Sequence, residues 1–386
     1  MISRRSLLAA LGTAAAGLPA FAQHAGHDPV YSHLSDPNVK TAPTDTMKAQ
    51  HVFDSPAPKA ANQGSWVARA PLPLPRSEMA WATTLNGRMH MVGGYGAQRV
   101  DRPYHHVYDP AADKWLDAPQ LPRGANHVGV CVVGGKLHAI GGFVEQNRKP
   151  DTNCYVLDGE AWRAIAPLPR PCGAIACVER AGLLHAIGGA VGDTFPTKRS
   201  VDWHLVYDPR IDQWSTRAPM PTGRDHTGTL TVNGLIHVIG GRVDSFHTNS
   251  NLHHVYDGRE DKWIPRAPLP TARSGHGAVL YRGKIFVMGG EGTNRVYGQN
   301  EAYDPVADSW ESHAPMMTPR HGLGAVAIGD FIHVAGGGLI MGGMIQSAVH
   351  EAFTSDDAQE PRRPPRGRRH NRATPSPSDR HATINQ

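Results

Sequence analysis

Beyond residue 22 the sequence has no apolar run long enough to cross a bilayer, which excludes a helical membrane span from the rest of the chain. It also lacks a strong charge of either sign in its body. Of the formal +5, Arg4 and Arg5 supply +2 and the segment from Pro361, with seven arginines against Asp379, supplies +6, so residues 23–360 sum to −3. A mildly acidic body gives no support to nucleic-acid binding. Cysteine is scarce: Cys131, Cys154, Cys172 and Cys177 are the four in 386 residues, and four thiols allow three full pairings. What is plentiful is glycine, 42 residues, and proline, 32. That punctuation argues against a helical bundle and for a large, turn-rich globular chain.

The N-terminus reads SRRSLLAALGTAAAGLPAFAQ, paired arginines before an apolar stretch and then Ala20-Phe21-Ala22 as a small-residue cleavage site. It resembles a twin-arginine export signal over residues 1–22, which implies export in the folded state to the periplasm or beyond, with cleavage near Ala22. An ordinary secretory signal with incidental arginines is the other reading, and it too exports its cargo.

Six Gly-Gly doublets begin at Gly93, Gly141, Gly188, Gly240, Gly289 and Gly336, spaced 48, 47, 52, 49 and 47 residues apart. A period near 50 announces a repeat architecture. Each doublet closes a short apolar strand, such as LHAIGG at 137–142 and again at 184–189, preceded by another strand across a tight turn such as Asn86-Gly87 or Asn233-Gly234. Tyr108, Tyr155, Tyr207, Tyr256 and Tyr303 follow, each with a tryptophan seven residues on, at Trp115, Trp162, Trp214, Trp263 and Trp310. Ala-Pro pairs then recur from Ala118, Ala166, Ala218, Ala267 and Ala314, and proline, with no donor for a ladder, marks the exit from the unit. Four strands per unit follow from this order.

Over residues 66–353 the glycine doublet, the spaced Tyr and Trp and the unit length resemble the kelch family. The resemblance implies an all-β fold, a kelch β-propeller with four-stranded antiparallel blades around a channel. Two irregularities complete the count. Trp66 with Ala70-Pro71 has no tyrosine seven residues earlier, where Lys59 stands, and the last unit reaches Phe353 with Glu360 in place of its tryptophan. The segment at Trp66 is therefore expected to supply the outer strand of the last blade and close six blades into a ring, over 64–355. Residues 23–63, polar and rich in His and Pro, are expected as a solvated tether wrapping back to the propeller, and 356–386 as a disordered basic tail able to touch anionic surfaces.

His90, His138, His185, His237 and His333 stand three residues before their doublets, with Phe286 in the sixth copy. On the second strand of a blade they lie about 4.8 Å outside the innermost one, too far from the axis to converge on an ion, and a structural role between blades is expected. His127, His226, His276 and His321 stand where inner strands begin, but their offsets from the next turn differ, so they face different ways. No metal site and no cofactor is expected from them.

Strand alternation places the second-to-third loops and the interblade connections on one face. The long, non-repeating segments 95–104, 143–153, 190–202, 242–251, 291–299 and 338–349 collect there, and such loops are where binding residues live. Arg76, Arg123, Arg170, Arg224, Arg273 and Arg320 precede the inner strands, and Arg242 follows a doublet. In kelch adaptor proteins arginines on this face hold acidic peptides, so the resemblance implies an anion-selective surface; the structural alternative is that the repeated six pair with acidic neighbours and pin the blades.

Two functional expectations follow. One is an exported binding module for an acidic peptide, protein segment or anionic sugar, with His127 and His226 beside the arginines. The other is a carbohydrate-acting enzyme, an epimerase or mutarotase, using Glu78, Glu145 or Glu291 with a neighbouring arginine; Asp225 and Asp244 lie on the same face. Exported six-bladed kelch proteins that mutarotate sialic acid are the family precedent, at the level of scaffold alone. Galactose-oxidase-type copper chemistry is disfavoured by six blades and no tyrosine–cysteine pairing. A carboxylate and an arginine within roughly 6 Å in a closed pocket would favour the enzyme, a broad arginine-lined surface the binder. Cys154 and Cys172 both lie toward this face, where a bridge between them is conceivable.

Overall fold

The computed structural model describes residues 50–355 except 79–81, 98–99 and 194–196. Within them lie six four-stranded antiparallel sheets, five of them built as two hairpins in succession. The first runs Thr83–Leu85, Arg88–Val92, His105–Asp109 and Lys114–Ala118. The next four repeat this order from Gly129–Val133, Ala176–Arg180, Gly228–Val232 and Gly277–Tyr281. The sixth takes Gly324–Ile328, Phe331–Ala335 and His350–Thr354 from the end of the chain and its outer strand, Ser65–Ala68, from the beginning, with Trp66 opposite Phe353.

The turn glycines owe their identity to backbone conformation. Asn86 and Gly87 sit at φ 52° and 72°, the left-handed pair a two-residue hairpin demands, and a Cβ on Gly87 would meet nothing within 4 Å. The doublets are crowded as well: a Cβ on Gly141 would lie 2.4 Å from the Cys172 carbonyl oxygen, where the connection to the next sheet crosses.

The repeated Tyr, Trp and Ala-Pro act between sheets. Each tryptophan indole donates to a carbonyl on the preceding connection: Trp115 to Ala70, Trp162 to Pro119, Trp214 to Ala166, Trp263 to Ala218, Trp310 to Ala267 and Trp66 to Ala314, all within 2.7–2.9 Å. Tyr108 donates to Asp113 at 2.6 Å, and the same carboxylate oxygen accepts the Ala70 N–H, a unit repeated at Tyr207, Tyr256 and Tyr303. A channel of 390 Å³ is lined by the first strands of all six sheets, including Thr83, Val130, Cys177, Thr229, Ala278 and Ala325.

The second-strand histidines are structural and have partners that the sequence reading missed. His90 meets His105 at 2.9 Å, His185 meets His204 at 2.8 Å, His237 meets His253 at 2.9 Å and His333 meets His350 at 3.1 Å. The outer histidine of each pair faces the carbonyl of Pro119, Ala218, Ala267 or Ala70. His138 instead bonds the Lys136 carbonyl, and Phe286 stacks at 4.8 Å on His313.

Two expectations need correction. From Gln50 the expected tether is folded: Gln50–Val52 pairs in parallel with Arg295–Tyr297, Ala57 is buried, and Ser55 donates to Glu301. Cys154 and Cys172 form no bridge; all four cysteines are free and buried, and burial pushes the Cys154 thiol up to about 12. The export signal, residues 23–49 and the tail from 356 lie outside the described residues. No helix among the described residues is long and apolar enough to cross a membrane.

Candidate functional site

Each connection enters its first strand through an isolated bridge to the segment after its own doublet: Ser77 to Tyr95, Asn126 to Phe143, Gly173 to Ala190, Asp225 to Arg242, Ser274 to Glu291 and His321 to Gly338. The next residue in all six is left-handed: Glu78 (φ 49°), His127 (50°), Ala174 (51°), His226 (56°), Gly275 (64°) and Gly322 (55°). Their backbones join from sheet to sheet, His127 N to Glu78 O, Ala174 N to His127 O, Gly275 N to His226 O and Gly322 N to Gly275 O, at 2.8–3.0 Å. Glycine suits this conformation; Glu and His adopt it at a cost of about 1–2 kcal/mol each. The chemistry-bearing side chains therefore stand where the backbone least favours them.

These side chains meet. The Glu78 carboxylate lies with Oε2 3.1 Å from His127 Nε2 and 4.0 Å from His226 Nε2, and with Oε1 2.9 Å from His321 Nε2. His321 Nε2 is also 3.3 Å from Glu291 Oε2, which accepts the Gly342 N–H at 2.7 Å. Arg242 donates Nη1 to Glu291 Oε1 and Nε to Asp225 Oδ1, both at 2.9 Å, and Nη2 to His226 Nε2 at 3.1 Å. Asp225 in turn bonds His226 Nδ1 and Ser200. Apart from Ser200, which is half-buried, none of these residues is more than 8% exposed.

Charge is set by the competition between burial and neighbours. Burial alone pushes the Glu78 carboxyl up, but neighbouring charge, led by His321, outweighs it and holds the group well below the usual carboxylate range. For His321 burial acts downward and is overcome by Glu291 and Glu78, which raise it to about 9. His127 goes the other way, lowered by burial to about 4 despite Glu78. At neutral pH a charged and a neutral imidazole thus flank one carboxylate. Asp225 is held far down by Arg242 and His226 against its burial.

The repeated arginines are not in this cluster. Arg76, Arg224, Arg273 and Arg320 are wholly buried and turn back into their own sheets. Arg76 Nη1 donates to the Gly93 and Tyr104 carbonyls and Nη2 meets His106; Arg224 does the same with Gly240, Leu252 and His254. Arg273 pairs with Glu301 at 2.5 Å and Arg320 with Glu351 at 3.2 Å. Arg123 and Arg170 stand two residues earlier than the matching position, which holds Ala125 and Cys172, and both are exposed, Arg123 beside Asp151 and Arg170 over Trp203. Two of the four, Arg273 and Arg320, thus have the acidic partner of the structural alternative, Arg76 and Arg224 bond carbonyls and a histidine instead, and the ring of six guanidiniums does not form among the described residues. Glu145 and Asp244 are exposed and stand apart; His276 accepts the Gly228 N–H from the neighbouring sheet. His321, expected to face away, joins the cluster because it occupies the bridge position, one residue before the left-handed turn, and reaches Glu78 from there.

A Kelch motif matches residues 272–317. Kelch-like protein 35 of Homo sapiens is 38% identical over 164 residues, 42% of this chain and 26% of that protein. Kelch-like protein terF of Aspergillus terreus is 26% identical over 185 residues, 46% of this chain and 30% of that one. The chain thus matches less than a third of either relative's length. Among solved structures, that of YjhT superposes with a TM-score of 0.62 at 14% identity, covering 74% of this chain and 97% of YjhT. The fold is an all-β kelch-type propeller of four-stranded antiparallel sheets, and the motif and relatives support a place in the kelch-repeat family.

Proposed function

We propose that this chain is an exported, ring-closed, six-bladed kelch propeller that carries out acid–base chemistry on a small polar carbohydrate at the loop-rich mouth of its channel. The observation that carries this reading is Glu78, whose two oxygens are approached by a neutral imidazole, His127, and a charged one, His321, at 3.1 and 2.9 Å. Two titratable groups pushed apart by their surroundings define an acid and a base. His321 can give a proton to a ring oxygen while His127 takes one from an anomeric hydroxyl, and Glu78 joins the two. Arg242 and Glu291 face each other at 2.9 Å and both are buried, which meets the distance part of the arrangement that favours an enzyme.

The charge of the mouth selects the substrate class. Arg242 is neutralised by Asp225 and Glu291, so no spare positive charge awaits a carboxylate. This favours a neutral reducing sugar over the acidic peptide or anionic sugar expected from a bowl of arginines. Kelch repeats also mediate protein binding, but the ring of six arginines expected for that role does not form, since Arg76, Arg224, Arg273 and Arg320 are wholly buried. Six blades are supported by six sheets and by the Trp66–Ala314 and Trp115–Ala70 bonds at the chain ends.

The test is anomer exchange followed by NMR on the purified protein, with neutral reducing sugars and with sialic acid. Acceleration over buffer, greater for a neutral sugar and reduced at least ~100-fold in Glu78→Gln, is the expected result. No acceleration for any sugar overturns the reading.

A further inference from the structure

His127 Nδ1 bonds the side-chain oxygen of Asn126. The amide cannot be turned the other way, because Asn126 Nδ2 donates to Asp101 Oδ1 at 2.6 Å and to the Phe143 carbonyl at 3.1 Å. An amide oxygen only accepts, so His127 carries its hydrogen on Nδ1 and turns the lone pair of Nε2 toward Glu78 Oε2, itself an acceptor, at 3.1 Å. His226 repeats the arrangement. Its Nδ1 faces the Asp225 carboxylate, which only accepts, and its Nε2 lies 4.0 Å from the same Glu78 oxygen while taking an N–H from Arg242. The His127 lone pair and the Glu78 oxygen thus converge with no hydrogen between them, which repels unless a positive centre enters, and the His226 lone pair beside them becomes a third donor once it gives up the Arg242 N–H.

We propose that Glu78, His127 and His226 are the protein ligands of one divalent transition-metal ion of the zinc type. The three donor atoms lie within 4.8 Å of one another. An ion about 2.1 Å from each donor asks for donor separations of about 3.4 Å in a tetrahedral set, so no gap need close by more than about 1.4 Å on binding. Two imidazoles and one carboxylate leave a fourth position for water or a substrate hydroxyl, the mark of a catalytic rather than a structural ion; with His127 Nε2 on the ion, easing the proton off that hydroxyl would fall to the ion and no longer to His127. Asn126 and Asp225 hold the ring orientations from behind, as outer-shell acceptors do for metal-bound histidines.

Three further features agree. Three carboxylates, Glu78, Asp225 and Glu291, outnumber the two cationic side chains among them, Arg242 and His321, which leaves the cluster negative and attracts a cation. The ligands occupy three of the six left-handed positions, and the other three hold Ala174, Gly275 and Gly322, so strained backbone is kept where it aims a donor. His321 Nε2 is taken up between Glu78 Oε1 and Glu291 Oε2, which leaves room for a single ion on the Oε2 side.

The inference rests on the proposed placing of function at the mouth, and not on the sugar. The purified full-length protein is stripped with a chelator, checked for native circular dichroism and titrated with Zn²⁺ and Co²⁺. One equivalent of metal per chain by elemental analysis, a raised Tm and a visible Co²⁺ absorption band are the expected results. His127→Gln and His226→Gln lose the stoichiometric ion, Asn126→Ala weakens it about 10–100-fold, and His247→Gln, on the surface, leaves it unchanged. The histidine variants keep His24, His27, His33 and His51, so metal held by the N-terminal segment survives in them and is distinguished. Native stripped protein that takes up no ion, or an equivalent that persists in both His127→Gln and His226→Gln, overturns the proposal. Anomer exchange surviving in stripped protein overturns the ion's role and spares the sugar reading; a bound ion without anomer exchange does the reverse.

Discussion

The indole Nε1 of Trp66 donates to the Ala314 carbonyl at 2.8 Å, a bond between residues 248 positions apart. It sits where Trp310 bonds Ala267 and Trp263 bonds Ala218 within continuous stretches of chain. Trp66→Ala is therefore expected to destabilise the fold by about 2–4 kcal/mol, slightly below the range for a fully buried tryptophan, and as much as Trp263→Ala does. Urea unfolding measures both. Equal stability of Trp66→Ala and the unaltered protein would remove the ring-closing role.

Arg242 lies between Asp225 and Glu291, each buried. Arg242→Met leaves two buried carboxylates without their counter-charge and is expected to cost about 3–5 kcal/mol, whereas Asp225→Asn and Glu291→Gln added to it recover most of the loss. A triple variant no more stable than the single one would refute the electrostatic account.

The buried arginines and the exposed ones separate cleanly by mutation. Arg320→Leu strands Glu351 and three backbone carbonyls and is expected to cost about 3–5 kcal/mol. Arg123→Ala and Arg170→Ala stay within about 0.5 kcal/mol. Thermal melting of the three variants decides between a pinning and a surface role.

Stability falls in acid. Burial lowers His105, His185, His253 and His350 to about 3 and His204, His237 and His333 to about 4, against 6.5 in the open chain. Below pH 6.5 the unfolded chain takes up protons the folded chain refuses, so the folded state loses ground progressively down to about pH 3–4. His321 acts in the opposite sense: its pKa is raised to about 9, so its contribution is whole below 6.5 and lost as the pH climbs through 9. The fifth sheet carries Phe286 and Asn300 where the sixth has His333 and His350. His333→Phe with His350→Asn should flatten the acid limb of the urea midpoint measured from pH 7 to 4.5. An unchanged slope would assign the acid loss to other groups.

All four thiols are buried and pushed up by burial, and the thiolate is the reactive form. A thiol reagent at pH 8 should label none in the folded protein and four in urea. Rapid labelling of the native state at any of them would contradict the packing.

Much of the scaffold was legible because its signals are local. The Asn-Gly turns, the two-residue alternation of apolar positions and the Tyr-to-Trp spacing each act within a dozen residues, and they yielded the four-strand units and the displaced strand at Trp66. The partners of the second-strand histidines escaped notice although His105, His204, His253 and His350 recur at the start of third strands; that regularity was the available signal. The arginines misled because Arg123 and Arg170 keep the Pro-Arg pattern while standing two residues out of step. Of the three candidate glutamates, Glu78 and Glu291 turn inward and Glu145 stays exposed, a difference that composition alone does not reveal.

The sequence by itself determined the repeat, the turns and the strand order, because backbone conformation and alternating burial are properties of neighbouring residues. Only the tertiary structure decided the site. Glu78 and His321 are separated by 243 residues, and whether they meet depends on a bridge and a left-handed turn that set each side chain's direction to within one residue. A strand residue shifted by one faces the opposite side, so the convergence of carboxylates, imidazoles and one guanidinium at the channel mouth exists only once the sheets are assembled around it.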